Sequence, residues 1–278
     1  MKAALLQLCS SDDPAANLPV TCDWLDRAVA GGAQLVVAPE VTNCVSGSRK
    51  RQMEVLQHEA EDRTLAALRE RAQAHGVWVL IGSLALKTAD ADGRFANRSF
   101  LIAPDGAIKA RYDKIHMFDV TVSETESYRE SAGYRPGGEA VIAQTPFGIL
   151  GLTICYDVRF PQLYRELALA GAQVIFVPSA FSPVTGAAHW ETLLRARAIE
   201  TGAYIVAPAQ TGKHAADQGR ARETYGHSLV VDPWGRVVAD GGTECGIISV
   251  DLDLAQVAHS RASIPAMTQM AHMKGPNE

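Results

Sequence analysis

The chain has 278 residues, of which 47% are hydrophobic, and it carries a formal net charge of -5 with a pI near 5.9. This length fits one large domain or two small ones, and the acidic balance argues against nucleic acid as the main partner. The apolar content is sufficient for a packed core, but no apolar segment approaches the roughly 20 residues that a membrane-spanning helix needs.

Segments with strand-like and helical patterns alternate along the chain. Strands are predicted near residues 2–9, 34–38, 77–84, 98–103, 107–112, 141–145, 149–154, 173–178, 203–208, 227–231, 236–239 and 246–250. Helices are predicted near residues 14–31, 59–75, 160–171 and 187–202. Because no repeat or linker divides this pattern, it indicates one α/β domain over residues 1–278, with a core at about 2–250 and a C-terminal extension at 251–278.

The cysteine content and the N-terminus bear on where the protein works. Five cysteines, an odd number without regular spacing, predict reduced thiols and a cytoplasmic protein. The apolar N-terminus imitates a signal peptide, but Gln7 interrupts it, so a first strand is the better interpretation. The sequence has no His-Glu-x-x-His motif, no paired Cys-x-x-Cys motif and no aspartate-rich loop, so neither a metal nor a cofactor is expected.

Three reactive side chains directly follow predicted strands. Glu40 ends the apolar run 35–40, Lys114 follows the strand at 107–112, and Cys155 lies between the strand at 149–154 and a helix that begins at Pro161. Alone, such a cysteine is more often a small buried hydrophobic residue. Here a carboxylate and an ammonium, each at a strand end, accompany the thiol, and this combination indicates a catalytic site. A nearby helix N-terminus favours a thiolate.

These residues, in this order and in these surroundings, resemble the Glu-Lys-Cys triad of the nitrilase superfamily of carbon–nitrogen hydrolases. The resemblance runs from the first strand to Val250 and includes Ala38-Pro39-Glu40, Tyr112-Asp113-Lys114-Ile115-His116, Tyr128-Arg129-Glu130-Ser131, Cys155-Tyr156-Asp157-Val158-Arg159-Phe160-Pro161 and Asp232-Pro233-Trp234-Gly235. It implies a four-layer α-β-β-α sandwich. It also implies a homodimer, or a higher oligomer, formed through helices that extend the sandwich.

The resemblance further implies a role for each member of the triad in hydrolysing a small-molecule amide. Cys155 is the expected nucleophile and forms a thioester. Glu40 is the expected general base, and a carboxylate with that task should have a raised pKa. Lys114 and the backbone N–H of Tyr156 are expected to bind the oxyanion, and the ammonium should favour a thiolate at Cys155.

A fourth candidate, Glu130, lies in the polar stretch 121–138, which is too rich in Ser, Glu, Gly and Pro to predict a regular element. Long loops of this kind are either functional or disordered. The resemblance places a second glutamate in such a loop, where it helps to hold the lysine or the substrate. We therefore expect Glu130 to tune geometry and proton transfer.

Substrate choice is less closely defined by the sequence. The resemblance indicates Phe181 and Thr185, on the loop after a strand, as substrate-binding residues beside the thiol. The segments 207–214 and 225–228 are most similar to the branch that hydrolyses deaminated glutathione to α-ketoglutarate and cysteinylglycine. The alternatives are an ω-amidase, an N-carbamoyl amidohydrolase, and a catalytically idle member that acts as a binding partner.

An α-keto acid substrate carries a carboxylate, so a fixed cation is expected in the pocket. The candidates are the run Arg49-Lys50-Arg51 after Glu40, and Arg195 or Arg197 on the helix after Thr185. Arg159 is instead expected to pair with Asp157 and to fix the turn that follows the nucleophile.

Overall fold

The computed structural model describes residues 1–121, 127–219 and 221–269. Two six-stranded sheets form its centre. The first sheet contains, in spatial order, β16 (Gly246–Asp251), β1 (Lys2–Gln7), β2 (Leu35–Val37), β3 (Trp78–Leu86), β4 (Ala96–Ile102) and β5 (Ile108–Asp113). The second contains β15 (Val237–Asp240), β14 (Leu229–Val231), β11 (Tyr204–Ala207), β10 (Val174–Phe176), β9 (Gly148–Leu152) and β8 (Val141–Thr145).

Two hairpins, six α-helices and three short 3-10 helices complete the described elements. The hairpins pair β6 (Asp119–Thr121) with β7 (Ser127–Arg129) and β12 (Thr211–Lys213) with β13 (Glu223–Tyr225). The helices are α1 (Pro14–Ala30), α2 (Arg49–Val55), α3 (Arg63–His75), α4 (Pro161–Leu169), α5 (Pro183–Thr201) and α6 (Ala255–Ser263). None of the helices in the described ranges is both long enough and apolar enough to cross a bilayer.

Alternating side chains of the central strands place helices outside the paired sheets. Along β1, Leu5 belongs to the cluster shared by the two sheets, whereas Leu6 belongs to a second cluster with Leu25 of α1 and Leu68 of α3. Because successive strand residues face opposite sides, α1 and α3 cover the outer face of the first sheet. Helices α4 and α5 pack on the second sheet, and the predicted four-layer α-β-β-α sandwich in a single domain is confirmed.

Both sheets contain three adjacent parallel strands, and these position the site. In the first sheet β1, β2 and β3 run parallel, and in the second β9, β10 and β11 do so. Segments that follow β2, β9 and β10 therefore leave the sheets at their carboxyl ends, where α/β proteins bind ligands. These segments contain Glu40, Cys155 and Ala180.

The predicted strands correspond to the twelve strands of the two sheets, but several shorter elements were not predicted. These are α2, α6 and the two hairpins. Helix α5 begins at Pro183 rather than at residue 187, because proline's fixed φ suits the first helical position. Helix α6 lies within the predicted C-terminal extension, of which residues 270–278 fall outside the described ranges.

The prediction that the stretch 121–138 has no regular element was wrong for its described part. Asp119 pairs with Arg129 in the ladder between β6 and β7, and a 3-10 turn follows at Glu130–Ala132. An antiparallel ladder is made by backbone groups, so a polar hairpin can form without the apolar alternation from which strands are usually predicted. Residues 122–126 of the stretch lie outside the described residues.

Candidate active site

A strained turn at the end of β9 presents the thiol. Cys155 begins a 3-10 helix, Cys155–Arg159, and has a positive φ of 50°. A non-glycine residue in this left-handed region is strained and persists only where the surroundings hold it. Here the Cys155 N–H donates to the carbonyl of Pro178 at 2.9 Å, which ties the turn to the segment after β10.

Asp157 fastens this turn to the lysine segment. Its fully buried carboxylate accepts hydrogen bonds from the Ile154 N–H at 2.9 Å and the Tyr112 hydroxyl at 2.7 Å. It also accepts the His116 N–H at 3.0 Å and lies 2.7 Å from His116 Nδ1. The predicted pairing of Asp157 with Arg159 is wrong, because the buried carboxylate is already occupied by donors from the lysine segment.

An irregularity in β3 shapes the turn that carries Glu40. The pairing register with β4 shifts between Ile81 and Leu84. Ser83 donates its N–H to the Pro39 carbonyl at 3.2 Å, and its Oγ accepts the Val41 N–H at 2.8 Å. A Cβ on Gly82 would lie 2.1 Å from the Ala38 carbonyl oxygen, so only glycine allows this close approach.

The structure brings Glu40, Lys114 and Glu130 together in one buried ion cluster. Glu40 and Lys114 are 4% and 2% exposed. The ammonium of Lys114 lies 2.9 Å from Oε1 of Glu40, and 3.0 and 2.9 Å from the two carboxylate oxygens of Glu130. The second oxygen of Glu40 accepts the Ala180 N–H at 2.8 Å, and the thiol of Cys155 lies near enough for the charges of Glu40 and Lys114 to act on it. Contacts therefore join Glu40, Lys114 and Glu130, and Cys155 lies beside them within reach of their charges.

In this cluster, the neighbouring charges shift the pKa values of Glu40 and Lys114 in the direction opposite to the effect of burial. Burial raises the pKa of the Glu40 carboxyl, but the adjacent ammonium and the donated hydrogen bonds outweigh it and hold that pKa below its ordinary value. Burial lowers the pKa of Lys114, but the charges of Glu130 and Glu40 raise it well above its ordinary value. The raised pKa expected for Glu40 is therefore wrong for this state, in which the carboxylate is ionised and the lysine protonated.

At Cys155, burial and the negative charge of Glu40 act in the same direction. They raise the pKa of the thiol far above its ordinary value and outweigh Lys114 and the Ala180 N–H. The expected thiolate is therefore wrong for the resting site, where sulfur keeps its proton. A protonated thiol beside an ionised carboxylate is a nucleophile paired with a general base.

Sequence reasoning missed Asn97 of β4. Its Nδ2 lies 2.9 Å from Oε1 of Glu40 and 3.4 Å from Oε1 of Glu130. Its carbonyl accepts the Lys114 N–H at 3.0 Å. A polar residue in a buried strand that precedes the lysine strand was a usable signal, because buried polar groups need partners.

The predicted substrate-binding residues surround the turn. The Tyr156 N–H makes no hydrogen bond with the described residues, and its ring lies 5.0 Å from that of Phe118. Phe181 follows Ala180 and packs 4.9 Å from Trp190. Thr185 lies in the first turn of α5, and its buried Oγ1 has no hydrogen-bond partner in the described part of the chain.

Several cations were predicted to bind the substrate carboxylate, and those whose hydrogen bonds are seen bind groups of the protein itself. Arg49 donates to the Gly133 carbonyl at 2.8 Å, and Arg51 contacts Asp217 at 3.1 Å. The Nε atoms of Arg195 and Arg197 donate to the carbonyls of Gly235 and Val158, each at 2.8 Å.

Arg159 is the cation closest in sequence to the thiol, and it faces the aromatic side chains beside it. Its guanidinium carbon lies 5.8 Å from the Tyr156 ring centre and 5.6 Å from that of Phe181. Its NH2 lies 3.2 Å from Nδ1 of His189. This position makes Arg159 a better candidate for a substrate carboxylate than the arginines predicted from the sequence.

Comparison with known proteins gives consistent matches over nearly the whole chain. The model of a family described as carbon-nitrogen hydrolase matches residues 2–262. The deaminated glutathione amidase of Yersinia enterocolitica is 38% identical over 95% of this chain and 91% of its own length. The omega-amidase NIT2 of Xenopus tropicalis is 33% identical over 98% of this chain and 95% of its own.

Solved structures show the same architecture. The Caenorhabditis elegans NitFhit protein matches with a TM-score of 0.87 and 36% identity over 97% of this chain, which spans 64% of that longer chain. A variant of the amidase from Nesterenkonia sp. AN1 matches with a TM-score of 0.76 and 26% identity, over 95% of this chain and 98% of that one. The latter is described as showing Michael addition of acrylamide at its active site cysteine.

Proposed function

The chain belongs to the carbon–nitrogen hydrolase family and is a hydrolase of carbon–nitrogen bonds other than peptide bonds, and from this premise we propose that it is a cysteine-dependent amidase for deaminated glutathione. The products are α-ketoglutarate and cysteinylglycine. The observation that carries the catalytic part of this proposal is the buried cluster in which the Glu40 carboxylate and the Lys114 ammonium lie 2.9 Å apart, with the Cys155 thiol within reach of their charges.

In the proposed first step, Cys155 attacks the amide carbonyl. Glu40 takes the thiol proton as sulfur bonds to carbon, which avoids a free thiolate in a site whose burial opposes it. The tetrahedral oxyanion is stabilised by Lys114 and by the Tyr156 N–H, whose lack of a partner among the described residues supports this role. Glu40 then gives its proton to the leaving nitrogen, and a thioester remains.

In the second step, Glu40 activates a water molecule that hydrolyses the thioester and regenerates the thiol. Glu130 and Asn97 support both steps as positioning residues. Glu130 contacts the ammonium of Lys114 through both oxygens, and Asn97 bridges the two glutamates. Their contacts fix where the ammonium points and therefore where the oxyanion is bound.

The substrate part of the proposal rests on the relatives and on Arg159. The relatives include a deaminated glutathione amidase and an omega-amidase, names that indicate amides joined to a carboxylated acyl group. Arg159, held near Tyr156 and Phe181, supplies a cation for the α-keto acid carboxylate. Thr185 offers an unpartnered buried hydroxyl, which can hydrogen-bond the acyl chain.

A comparison of two substrates tests this assignment. Deaminated glutathione and α-ketoglutaramate are supplied at equal concentrations, and α-ketoglutarate release gives kcat/KM for each. We expect deaminated glutathione to be preferred by about tenfold or more, which corresponds to roughly 1.4 kcal/mol of additional transition-state binding by its dipeptide part.

Each other result of that comparison selects a different function. A preference for α-ketoglutaramate would assign the protein to the ω-amidases. Turnover of neither substrate, but of N-carbamoyl amino acids, would assign it to that class of amidohydrolases. If no amide were hydrolysed and a thiol probe did not label Cys155 selectively, the catalytically idle binding partner would be the better interpretation.

We also infer a homodimer. Four large apolar side chains, Leu169, Ile199, Trp234 and Ile264, are each 47% to 58% exposed and line one surface depression beside α4, α5 and α6. Contiguous exposed apolar surface of this kind is typical of interfaces. Light scattering after size exclusion should give the dimer mass for the wild type and the monomer mass for Ile199→Asp. Wild-type protein that is monomeric at micromolar concentration would contradict the inference.

A cytoplasmic location also remains part of the proposal. All five cysteines are free, and Cys155 must stay reduced to act. A reducing compartment keeps such thiols available.

A further inference from the structure

We propose that Arg222 binds the carboxylate on the leaving-amine side of the substrate, and thereby selects peptide-like amides over simple ones. This inference rests on the proposed function and extends it, because it assigns a residue to the part of the substrate that departs as the amine. It concerns a different carboxylate from the α-keto acid group assigned to Arg159.

Arg222 lies close to Glu40, the proposed general base. Arg222 directly precedes β13, and its carbonyl accepts the His214 N–H at 2.9 Å, so the end of the hairpin holds its backbone. Its NH2 donates to the Ala180 carbonyl at 3.4 Å. The N–H of the same Ala180 donates to Glu40 at 2.8 Å. A single residue therefore separates the guanidinium from the carboxylate that protonates the leaving nitrogen.

No carboxylate of the described residues neutralises the charge of Arg222. Its Nε is buried and has no hydrogen-bond partner among the described residues. Its one hydrogen bond with a described residue is the long contact to Ala180, and it forms no ion pair with a described carboxylate. Arg197, which is more deeply buried, instead pairs with Glu200 at 2.7 Å. A partly buried guanidinium without an anion is costly, and its fork geometry fits a carboxylate.

The direction of the chemistry assigns that carboxylate to the leaving group. Because Glu40 gives its proton to the departing nitrogen, the amine part of the substrate must approach the Glu40 side of the site. Cysteinylglycine ends in a carboxylate, and an extended dipeptide spans roughly 7 Å. That length is comparable with the path from Glu40 through Ala180 to Arg222, which consists of contacts of 2.8 and 3.4 Å joined by one residue. Ammonia, the leaving group of a simple amide, has no such carboxylate.

Three substrates and two matched variants test this role. The substrates are deaminated glutathione, the same compound with its glycine carboxylate converted to a carboxamide, and α-ketoglutaramate. Arg222→Met removes the charge and keeps an apolar stem. Arg51→Met is the control, because Arg51 holds the neighbouring part of the same segment through Asp217 without belonging to the proposed machinery.

We expect Arg222→Met to lower kcat/KM for deaminated glutathione by about 10- to 100-fold, mainly through KM, as the loss of a hydrogen-bonded charge pair implies. For the carboxamide and for α-ketoglutaramate the change should stay below about threefold, because neither has the carboxylate that Arg222 binds. Arg51→Met should change all three substrates equally and by little. Wild-type protein should itself prefer the carboxylate over the carboxamide.

Equal losses of Arg222→Met on all three substrates, or no loss on deaminated glutathione, would overturn the role of Arg222 while leaving the proposed function intact. Failure of the wild type to hydrolyse deaminated glutathione would instead refute the proposed substrate, and the Arg222 assignment with it. If Arg222→Met did not fold, Arg222→Lys would decide. It keeps the charge but not the fork, and a smaller loss with the same substrate pattern is expected.

Discussion

Replacement of Cys155 with alanine is expected to abolish hydrolysis of every amide substrate while the protein stays folded. Loss of a nucleophile costs about 10⁴-fold or more in kcat, since no other group in the network can form the thioester. The fold should tolerate the change, because alanine fits the space of the thiol and the turn is held by the backbone contact to Pro178 and by Asp157. The measurements are kcat/KM and the melting temperature.

The chemistry can be followed directly in the same experiment. Acid quench of wild-type protein during turnover should give an adduct with the mass of the acyl group, and Cys155→Ala should give none. Cys245→Ala is the matched control, because this exposed thiol lies outside the network and its loss should leave turnover unchanged. Activity of Cys155→Ala within 100-fold of wild type would refute the assignment of the nucleophile.

Replacement of Lys114 with methionine is expected to affect both activity and stability. Its side chain is 3% exposed and lies between Glu40 and Glu130. Loss of an oxyanion donor costs about 10² to 10³ in kcat. Removal of one partner from a buried ionic network costs about 3 to 5 kcal/mol in free energy of unfolding, because the two carboxylates then face each other without a cation. Turnover and denaturant unfolding measure the two effects.

The stability loss of Lys114→Met should depend on pH with a definite sign. Without the ammonium, burial and the nearby charge of Glu130 raise the folded-state pKa of Glu40 above its unfolded value. A group whose folded pKa is raised contributes stability below its unfolded pKa, and that contribution is lost as pH rises through the folded value. The deficit of Lys114→Met relative to wild type should therefore be smaller near pH 4 than near pH 8.

In the wild type, the stability that the Glu40 carboxylate contributes depends on pH in the opposite sense. Because the folded pKa of Glu40 is lowered, its stabilising contribution is present above the unfolded pKa and is lost as pH falls through the folded value.

A second substitution separates the two effects of Lys114. Adding Glu130→Gln to Lys114→Met removes one of the unbalanced carboxylates and should restore part of the stability without restoring turnover. Glu130→Gln alone should stay folded and lose turnover moderately, and full wild-type turnover would remove Glu130 from the mechanism. Unchanged stability of Lys114→Met at both pH values would show that the ion cluster does not hold the site together.

Much of the architecture could be predicted from local patterns. Apolar runs such as 35–40 and 149–154 were sufficient to locate the strands of both sheets, because strands buried on both faces appear as short continuous apolar runs. The elements that were missed are short or polar. Helix α2 has seven residues, and β6 and β7 have three each, so hydrophobic periodicity has too few positions to be recognised.

The sequence by itself determined the order of the strands along the chain and the residue types at their ends, including Glu40, Lys114 and Cys155. The tertiary structure alone decided their electrostatics. The pKa of Glu40 is lowered and that of Cys155 raised because residues far apart in sequence exclude water and place Lys114 within 2.9 Å of the Glu40 carboxylate. The tertiary structure also decided which residues lie beside Asn97 and Arg222, since a sequence pattern does not say how far apart residues lie in space. Coulomb energy and desolvation depend on those distances.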